Sequence, residues 1–480
     1  MITLPFQSSI DEPVREEDKH MFRMMFRKKP IGHIHPQSSL HRSLNTFDLT
    51  LMGIGAIIGA GVFVLTGIAA ATKAGPAIVL SYVFAGLASM FAALAYAELA
   101  ASIGGTGSAY SYAYAGFGEI IAWIIGWNLL LEYVMSVGTV AIGWSGYVTN
   151  FLEAIHIHLP NAITKNPFDG GIINLIAVLI ILMLTLLLCL GVKHSARINA
   201  IVVSIKLLTI ATFIVVASFN VDIQNWANFF PFGLNGVIEG AALVFFAYIG
   251  FDALSTAVEE ALEPQRSIPI AIVTSLIICT VIYIIVSALL TGIVPYTALN
   301  VQSPVADALL KIGYQSIGGV IAAGAVAGLT TVMLVMFYGL TRICLAMSRD
   351  GLIPNSIAAI HPQTHTPVRI IIVTGILIAA IAGMAPINRA AELVNIGTLA
   401  AFVFVCSGVI ALRHTLPDIA RPFKLPFNPL IPLLGIIFCI YLMFNLPAVT
   451  WWRFLIWTII GVFIYFVYGI RHSRIDTLTS

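Results

Sequence analysis

The chain has 480 residues, is 59% hydrophobic and only 10% charged, and carries a formal net charge of +2. With a mean hydropathy of +0.97, this composition excludes a soluble domain of that length and predicts an all-α, polytopic membrane protein. The near-neutral balance gives no basis for nucleic acid binding; what informs is where the basic residues fall.

Residues 1–40 are polar and charged, with no cleavable apolar segment, and read as a cytosolic tail. Twelve transmembrane helices are expected near 47–72, 77–102, 117–149, 171–191, 199–220, 236–261, 268–294, 316–347, 368–386, 390–412, 429–447 and 450–470. With the N-terminus inside, 18 of the 24 Lys and Arg fall on cytosolic segments. The exceptions are Lys73, Lys165, Lys311, Arg389 and Arg453 outside, and Lys206 within a span. That asymmetry predicts cytosolic N- and C-termini in the cell (plasma or inner) membrane. Loops are short, and Pro-containing breaks at Glu263-Pro264, Leu416-Pro417 and Leu425-Pro426 are linkers, so no soluble domain is expected.

The first span carries Gly53, Gly55, Gly59 and Gly61. Each costs about 1 kcal/mol against Ala in a helix. Two readings fit the stretch alone: close packing through Gly55-x-x-x-Gly59, or a mid-membrane break, which lipid tolerates only where it lines a cavity or meets a ligand. The sixth span, around Phe245-Phe246-Ala247-Tyr248-Ile249-Gly250-Phe251-Asp252, also carries a glycine and an acid at mid-segment. Paired Gly-interrupted spans in corresponding positions of two halves point to a transporter's binding site. The expected halves are 41–225 (spans one to five) and 226–415 (spans six to ten). These form a five-plus-five inverted repeat with broken helices one and six, and 416–480 adds spans eleven and twelve.

A helix restarting after the first break presents N–H groups and a positive dipole end, an anion site. Gly59, Ala60 and Gly61 would let a carboxylate approach closely. Carbonyls of Ile57, Phe246 and Ile249, beside Ala247, face the ammonium of a zwitterion such as an α-amino acid. Asp252 either positions that amine or caps the restarted sixth helix. Lys206 lies in Val203-Ser204-Ile205-Lys206-Leu207; it either snorkels or is a buried functional cation. Glu132, near the middle of the third span, is equally suited to structural bonding and to coupling. Glu98 and Glu119 lie close to the cytosolic face and ask for no special reading.

The five cysteines, Cys189, Cys279, Cys344, Cys406 and Cys439, sit in or beside apolar runs without a CxxC pair, and read as small apolar filler. All eleven histidines fall outside the predicted spans and no HExxH occurs, so neither a metal nor a cofactor is expected. No nucleophile or paired-Asp signature stands out in the spans, which argues against a membrane-embedded enzyme. No ring of like charge or filter repeat argues for a channel.

Several segments together resemble the amino acid–polyamine–organocation superfamily, and within it prokaryotic relatives of the cationic amino acid transporters. They include Gly53 to Phe63 followed by Leu65-Thr66-Gly67, Gly104-Gly105-Thr106-Gly107-Ser108-Ala109-Tyr110, Gly126-Trp127-Asn128 and Ser195-Ala196-Arg197-Ile198-Asn199. Phe229-Phe230-Pro231-Phe232-Gly233, Pro264-Gln265-Arg266-Ser267-Ile268-Pro269, Ala346-Met347-Ser348-Arg349-Asp350-Gly351-Leu352 and Arg421-Pro422-Phe423 belong with them. The resemblance covers about residues 40–430. It implies the LeuT-type inverted repeat with alternating access, a carboxylate site on Ala60 and Gly61, and an amine site on Ile57, Phe246 and Ile249. It also implies that Lys206 stands where distant relatives hold sodium.

On these grounds the expected function is proton-coupled symport of small or medium neutral amino acids. Lys206 would be the coupling group, held by the carbonyls of Gly55 and Ile58, with Glu132 as the second candidate. The alternatives are amino acid/amine exchange and uptake of cationic amino acids. Met336, on the eighth span, is expected to line the side-chain pocket. No unpaired carboxylate near the breaks is evident as a partner for a cationic side chain, hence the preference for neutral substrates. Protons and membrane lipids are the expected partners besides substrate; a small auxiliary membrane subunit or sterol-like lipid is left open.

Overall fold

The computed structural model describes residues 24–29, 44–103, 108–191, 196–258, 260–354, 356–362, 364 and 366–474. Motif residues 104–107 and Ser195, and most of the 1–40 tail, lie outside them. Among the described residues the chain is helical throughout, with one isolated bridge, Leu44 to Ala261.

Eight helices are long and apolar enough to cross a membrane, and three more, Leu175–Cys189, Val368–Met384 and Leu430–Phe444, are shorter and apolar. One of the eight is a continuous 57-residue apolar stretch, Thr46–Ser102. It turns back on itself at Gly75–Ala77, where Gly75 takes a φ of +61° and Pro76 follows. With these apolar helices among the described residues, the chain is a multi-pass helical membrane protein.

The helices that position the site are α1 (Thr46–Ile57), α2 (61–74), α3 (Ile78–Ser102), α4 (Ala109–Gly116), α5 (Glu119–Ala154), α6 (Leu175–Cys189), α7 (Ala196–Ser218) and α8 (Gly233–Val244). They continue with α9 (Pro264–Ile293), α10 (Pro304–Lys311), α11 (Gln315–Arg349), α12 (Val368–Met384) and α13 (Ile387–Thr415). Asn45 starts α1: its side chain accepts from the Phe47 and Asp48 N–H groups, while the Asp48 carboxylate accepts from the Asn45 N–H. This reciprocal cap satisfies donors that a helix start leaves over. Just ahead of it, Leu44 pairs with the chain leading into α9, through Leu44 N to Glu260 O at 3.0 Å and Leu262 N to Leu44 O at 2.9 Å.

Helices α1, α2, α8 and the segment after it form the centre. Helices α3, α5, α9, α11 and α13 surround them, with α11 packed along α5 and α9 along both α3 and α1. The centre is almost wholly buried while the outer faces of α6, α7 and α12 carry exposed Leu, Ile, Val and Met, the inverse of a soluble protein and what a lipid solvent demands.

At one end of the bundle, residues 24–29 fold back onto the start of α5 and the end of α11. Lys29 Nζ lies 2.6 Å from the Asp350 carboxylate, which also accepts from Tyr110 OH at 2.7 Å. Glu119 takes an ion pair from Arg27 at 3.5 Å and hydrogen bonds from Tyr114, Tyr465 and Ser473. Glu98, on α3, is held by Arg413, by Arg421 and by the Leu425 N–H. Both acids are buried, Glu119 fully. Sequence position near a membrane face suggested nothing of this, because the partners come from segments far away in the chain.

Candidate functional site

Helix α1 ends at Ile57. Ile58 is extended, with φ −72° and ψ 100°, and its N–H closes the last turn onto the Ile54 carbonyl. The chain becomes helical again from Ala60, and the first hydrogen bond back across the break runs from Phe63 N to Gly59 O at 3.4 Å. The N–H groups of Ala60, Gly61 and Val62 open the new helix and have no partner within it. The carbonyl of Gly61 accepts from the Thr66 N–H and also from the Thr66 and Tyr82 hydroxyls.

The sixth apolar segment breaks alike. Helix α8 tightens into a 3₁₀ turn over Phe245–Tyr248, Ile249 is extended, and Gly250 takes a φ of +120° before a second 3₁₀ stretch, Phe251–Ala257. The two breaks cross in contact. A Cβ at Gly61 would overlap Ala247, and one at Gly250 would sit 2.8 Å from the Ala56 carbonyl oxygen. Only glycine permits both approaches. Gly53 packs against Ser275 and Leu254, whereas Gly59, of the Gly55-x-x-x-Gly59 pattern, stands in the break beside Val332.

A cavity lies at the crossing. Its wall consists of Ala56, Ile57, Gly59, Ala60 and Gly61 from the first break, Phe246 and Ile249 from the second, Ser136 and Val140 from α5, and Val332 and Met336 from α11. It offers about 10 Å³ to a water-sized sphere, room for about one water molecule. On one side Tyr147 donates to the Phe63 carbonyl at 2.5 Å, and α10 lies over α2 with Pro304 against Gly67. On the other side Tyr133 donates to Asp252 at 3.1 Å.

Six expected site residues, Ile57, Gly59, Ala60, Gly61, Phe246 and Ile249, line this cavity, and Met336 lines it from α11. Ala247 lies behind the wall, against Gly61. Asp252 is not in the wall: it accepts from Tyr133 and from the Gly250 N–H at 3.2 Å, two residues ahead of it. Glu132 is buried against Asp252 and Thr398, also outside the wall. Among the described residues neither acid has a basic partner, but both stand outside the cavity wall and are hydrogen-bonded, Asp252 to Tyr133 and Glu132 to Thr398. The Ile57 carbonyl, expected to be free, accepts from Tyr283 OH at 2.9 Å. The Phe246 carbonyl accepts from Ile249 N at 3.2 Å. Each keeps a second lone pair.

Lys206 does not snorkel. It is fully buried on α7, and its Nζ donates to Gly55 O at 2.8 Å and Ile58 O at 2.7 Å. Those carbonyls belong to the C-terminal end of α1, where the helix dipole is negative. Gly328 on α11 makes room for the lysine stem; a Cβ there would stand 2.8 Å from Lys206 Cε. Burial of an ammonium at membrane depth costs about 3 kcal/mol unless partners offset it, and two carbonyl oxygens do so here.

Three further polar residues escaped sequence reading. Tyr283 on α9 bridges the breaks, donating to Ile57 O at 2.9 Å and Ala247 O at 2.8 Å. Asn395 on α13 donates to the carbonyls of Ala242 and Leu243 at 2.8 and 3.0 Å, at the end of α8. Ser136 stands in the cavity wall. Each is a single polar residue in a long apolar helix, and its meaning depends on which break it faces, which no spacing in the sequence records. The nearest signal was the rarity of polar residues at that depth.

Comparison with known proteins bears on this geometry. The family model described as amino acid permease matches residues 44–465. The branched-chain amino acid permease BcaP of Bacillus subtilis is 48% identical over 463 residues, covering 94% of this chain and 99% of that protein. The methylthioribose transporter of the same organism is 47% identical over 457 residues, with the same coverage of both. Human cationic amino acid transporter 4 is 32% identical over 576 residues, covering 93% of this chain and 90% of its own.

Proposed function

Since this chain belongs to the amino acid permease family, and is a transporter rather than an enzyme, we propose that it carries out proton-coupled symport of small or medium neutral amino acids. The observation that carries the coupling is the buried Lys206 bracing the end of α1 through Gly55 and Ile58. The charged amine locks α1 against α7. Losing its proton leaves a neutral nitrogen with weaker hold on the two carbonyls, and α1 is released to open the cavity inward. Proton occupancy and conformation are thereby linked.

The substrate carboxylate meets the N–H groups at Ala60 and Gly61. Its ammonium meets the carbonyls of Ile57, Phe246 and Ile249, using their remaining lone pairs and competing with Tyr283 at Ile57. The side chain lies against Val140, Val332 and Met336. In this reading the chain crosses the plasma membrane twelve times with both termini inside, spans one to five and six to ten form inverted repeats, and alternating access moves α1 and the broken sixth span around a fixed cavity. Protons are the coupling ion; lipid is the solvent of the outer faces.

Purified protein in proteoliposomes tests this. A pH gradient, acid outside, should drive accumulation of labelled alanine or valine, and a protonophore should abolish it. Accumulation that survives the protonophore in preloaded vesicles assigns exchange instead. A second reading, transport of methylthioribose, is favoured by the 47% identity over 94% of the chain. Competition of unlabelled methylthioribose against labelled amino acid separates the two.

A further inference from the structure

Within the cavity wall one side chain differs from its neighbours. Ala56, Ala60, Val140, Val332, Phe246, Ile249 and Met336 offer carbon and sulfur; Ser136 offers a hydroxyl. That hydroxyl is buried, with the residue 1% exposed, and it has no hydrogen-bond partner. Serines and threonines in helices ordinarily turn their hydroxyl back to a carbonyl one turn earlier. On the same helix Thr139 donates to Met135 O and Ser145 to Ile142 O. Ser136 does not. A buried hydroxyl left unpaired costs about 1–3 kcal/mol, so an orphan aimed into a ligand cavity marks a missing partner.

Position along α5 says which part of a substrate that partner is. Gly143 stands where α5 passes Ala60, a Cβ there being 3.6 Å from the Ala60 Cβ. Ala60 opens the helix whose N–H groups face a carboxylate. Ser136 is seven residues earlier, about 10 Å along the axis at 1.5 Å per residue. Tyr133, three residues nearer the start of α5, reaches Asp252 outside the cavity wall. Ser136 is therefore displaced from the carboxylate end. It shares its face of α5 with Val140, one turn away, and Val140, Val332 and Met336 form the apolar side-chain wall.

We infer that Ser136 is a specificity-determining residue whose hydroxyl hydrogen-bonds the substrate's side chain, so that the favoured substrates are short neutral amino acids bearing a hydroxyl, serine and threonine. The inference rests on the amino acid transport reading above. Threonine and valine have nearly the same shape, and differ in a hydroxyl against a methyl. A site with a buried hydroxyl left over should discriminate between them, since valine leaves it unpaired.

The experiment measures competition by threonine, valine and alanine against labelled alanine uptake in the intact transporter and in Ser136→Ala. The intact protein should bind threonine roughly tenfold more tightly than valine, and Ser136→Ala should erase or invert that ratio. Ser136→Thr, which keeps a hydroxyl, should retain the threonine preference. If the threonine-to-valine ratio is the same in all three proteins, Ser136 does not read the side chain. If Ser136→Ala weakens all three amino acids alike, the hydroxyl serves the common backbone of the substrate, and the inference is equally overturned. If no amino acid competes in the intact protein, the transport reading itself fails, a result distinct from either.

Discussion

The two broken spans meet at one cavity but are held in different ways. The first break hangs on a cation: Lys206 is the brace of the carbonyls of Gly55 and Ile58. The second is held by neutral amide and phenol groups. Asn395 takes Ala242 and Leu243, Tyr283 takes Ala247, and Asp252 ties back only to its own segment and to Tyr133. A brace that can gain or lose a proton makes a releasable joint, whereas amide and phenol bonds persist across physiological pH. On the proposed coupling, the hold on α1 would change with protonation, whereas the bonds that hold the end of α8 would not.

The strongest way to break the pair is to wedge it. Gly61→Val places a branched side chain into Ala247, and should abolish uptake, on the order of 100-fold or more, while the protein still inserts. Gly59→Ala is the contrast: its Cβ would stand 3.4 Å from Val332 Cγ1, and uptake should fall by no more than a few-fold. Flux per inserted molecule, with surface labelling, checks both. Normal uptake by Gly61→Val removes the crossing from the site.

Next is the cation. Lys206→Ala should keep amino acid binding, read as a substrate-induced rise in melting temperature, and lose uphill uptake driven by acid outside. Should that variant still accumulate substrate along an imposed proton gradient, Lys206 is not the coupling group and Glu132 takes its place. The matching change at the other break is Asn395→Leu. It leaves two carbonyls without their donor and should lower stability by about 1–3 kcal/mol, with the pH profile of uptake unmoved. A shifted profile would mean that both breaks are proton-linked and would erase the contrast.

The smallest effect is expected at the wall. Met336→Ser removes volume opposite α5 and should extend the range of inhibitors toward larger or cationic side chains by a few-fold. The acids Glu132 and Asp252 behind the wall, which have no basic partner among the described residues, add a reason for the cationic direction. An unchanged inhibitor series would show that Met336 does not set the size limit.

The backbone half of the site was legible in the sequence because its signal is local. Four glycines within nine residues, and Gly250 in a second apolar run, are costly enough in a helix to imply a break. Burial of Lys206 was legible as one of two alternatives, since depth in a span could be counted but the neighbour could not. The side-chain half was not legible. Tyr283, Asn395 and Ser136 acquire meaning only when α9, α13 and α5 are laid against the breaks, and the pairing of Glu132 with Asp252 joins residues 120 positions apart. Local periodicity reports which face is apolar, not which helix it meets. The twofold cover of charge at Glu98 and Glu119 was invisible for the same reason.

The clasp around Glu119 also has a timetable. Its carboxylate enters the bundle at the start of α5, yet two of its donors, Tyr465 and Ser473, lie 346 and 354 residues further along. At ordinary rates of synthesis they arrive roughly 20 to 70 seconds later. Until then Glu119 lacks two of its hydroxyl donors. A premature stop just after Gly461 removes no residue of the cavity wall, but it leaves that end without its last two hydroxyls for good. Such a chain is expected to show its defect first as rapid turnover in the cell rather than as altered substrate affinity.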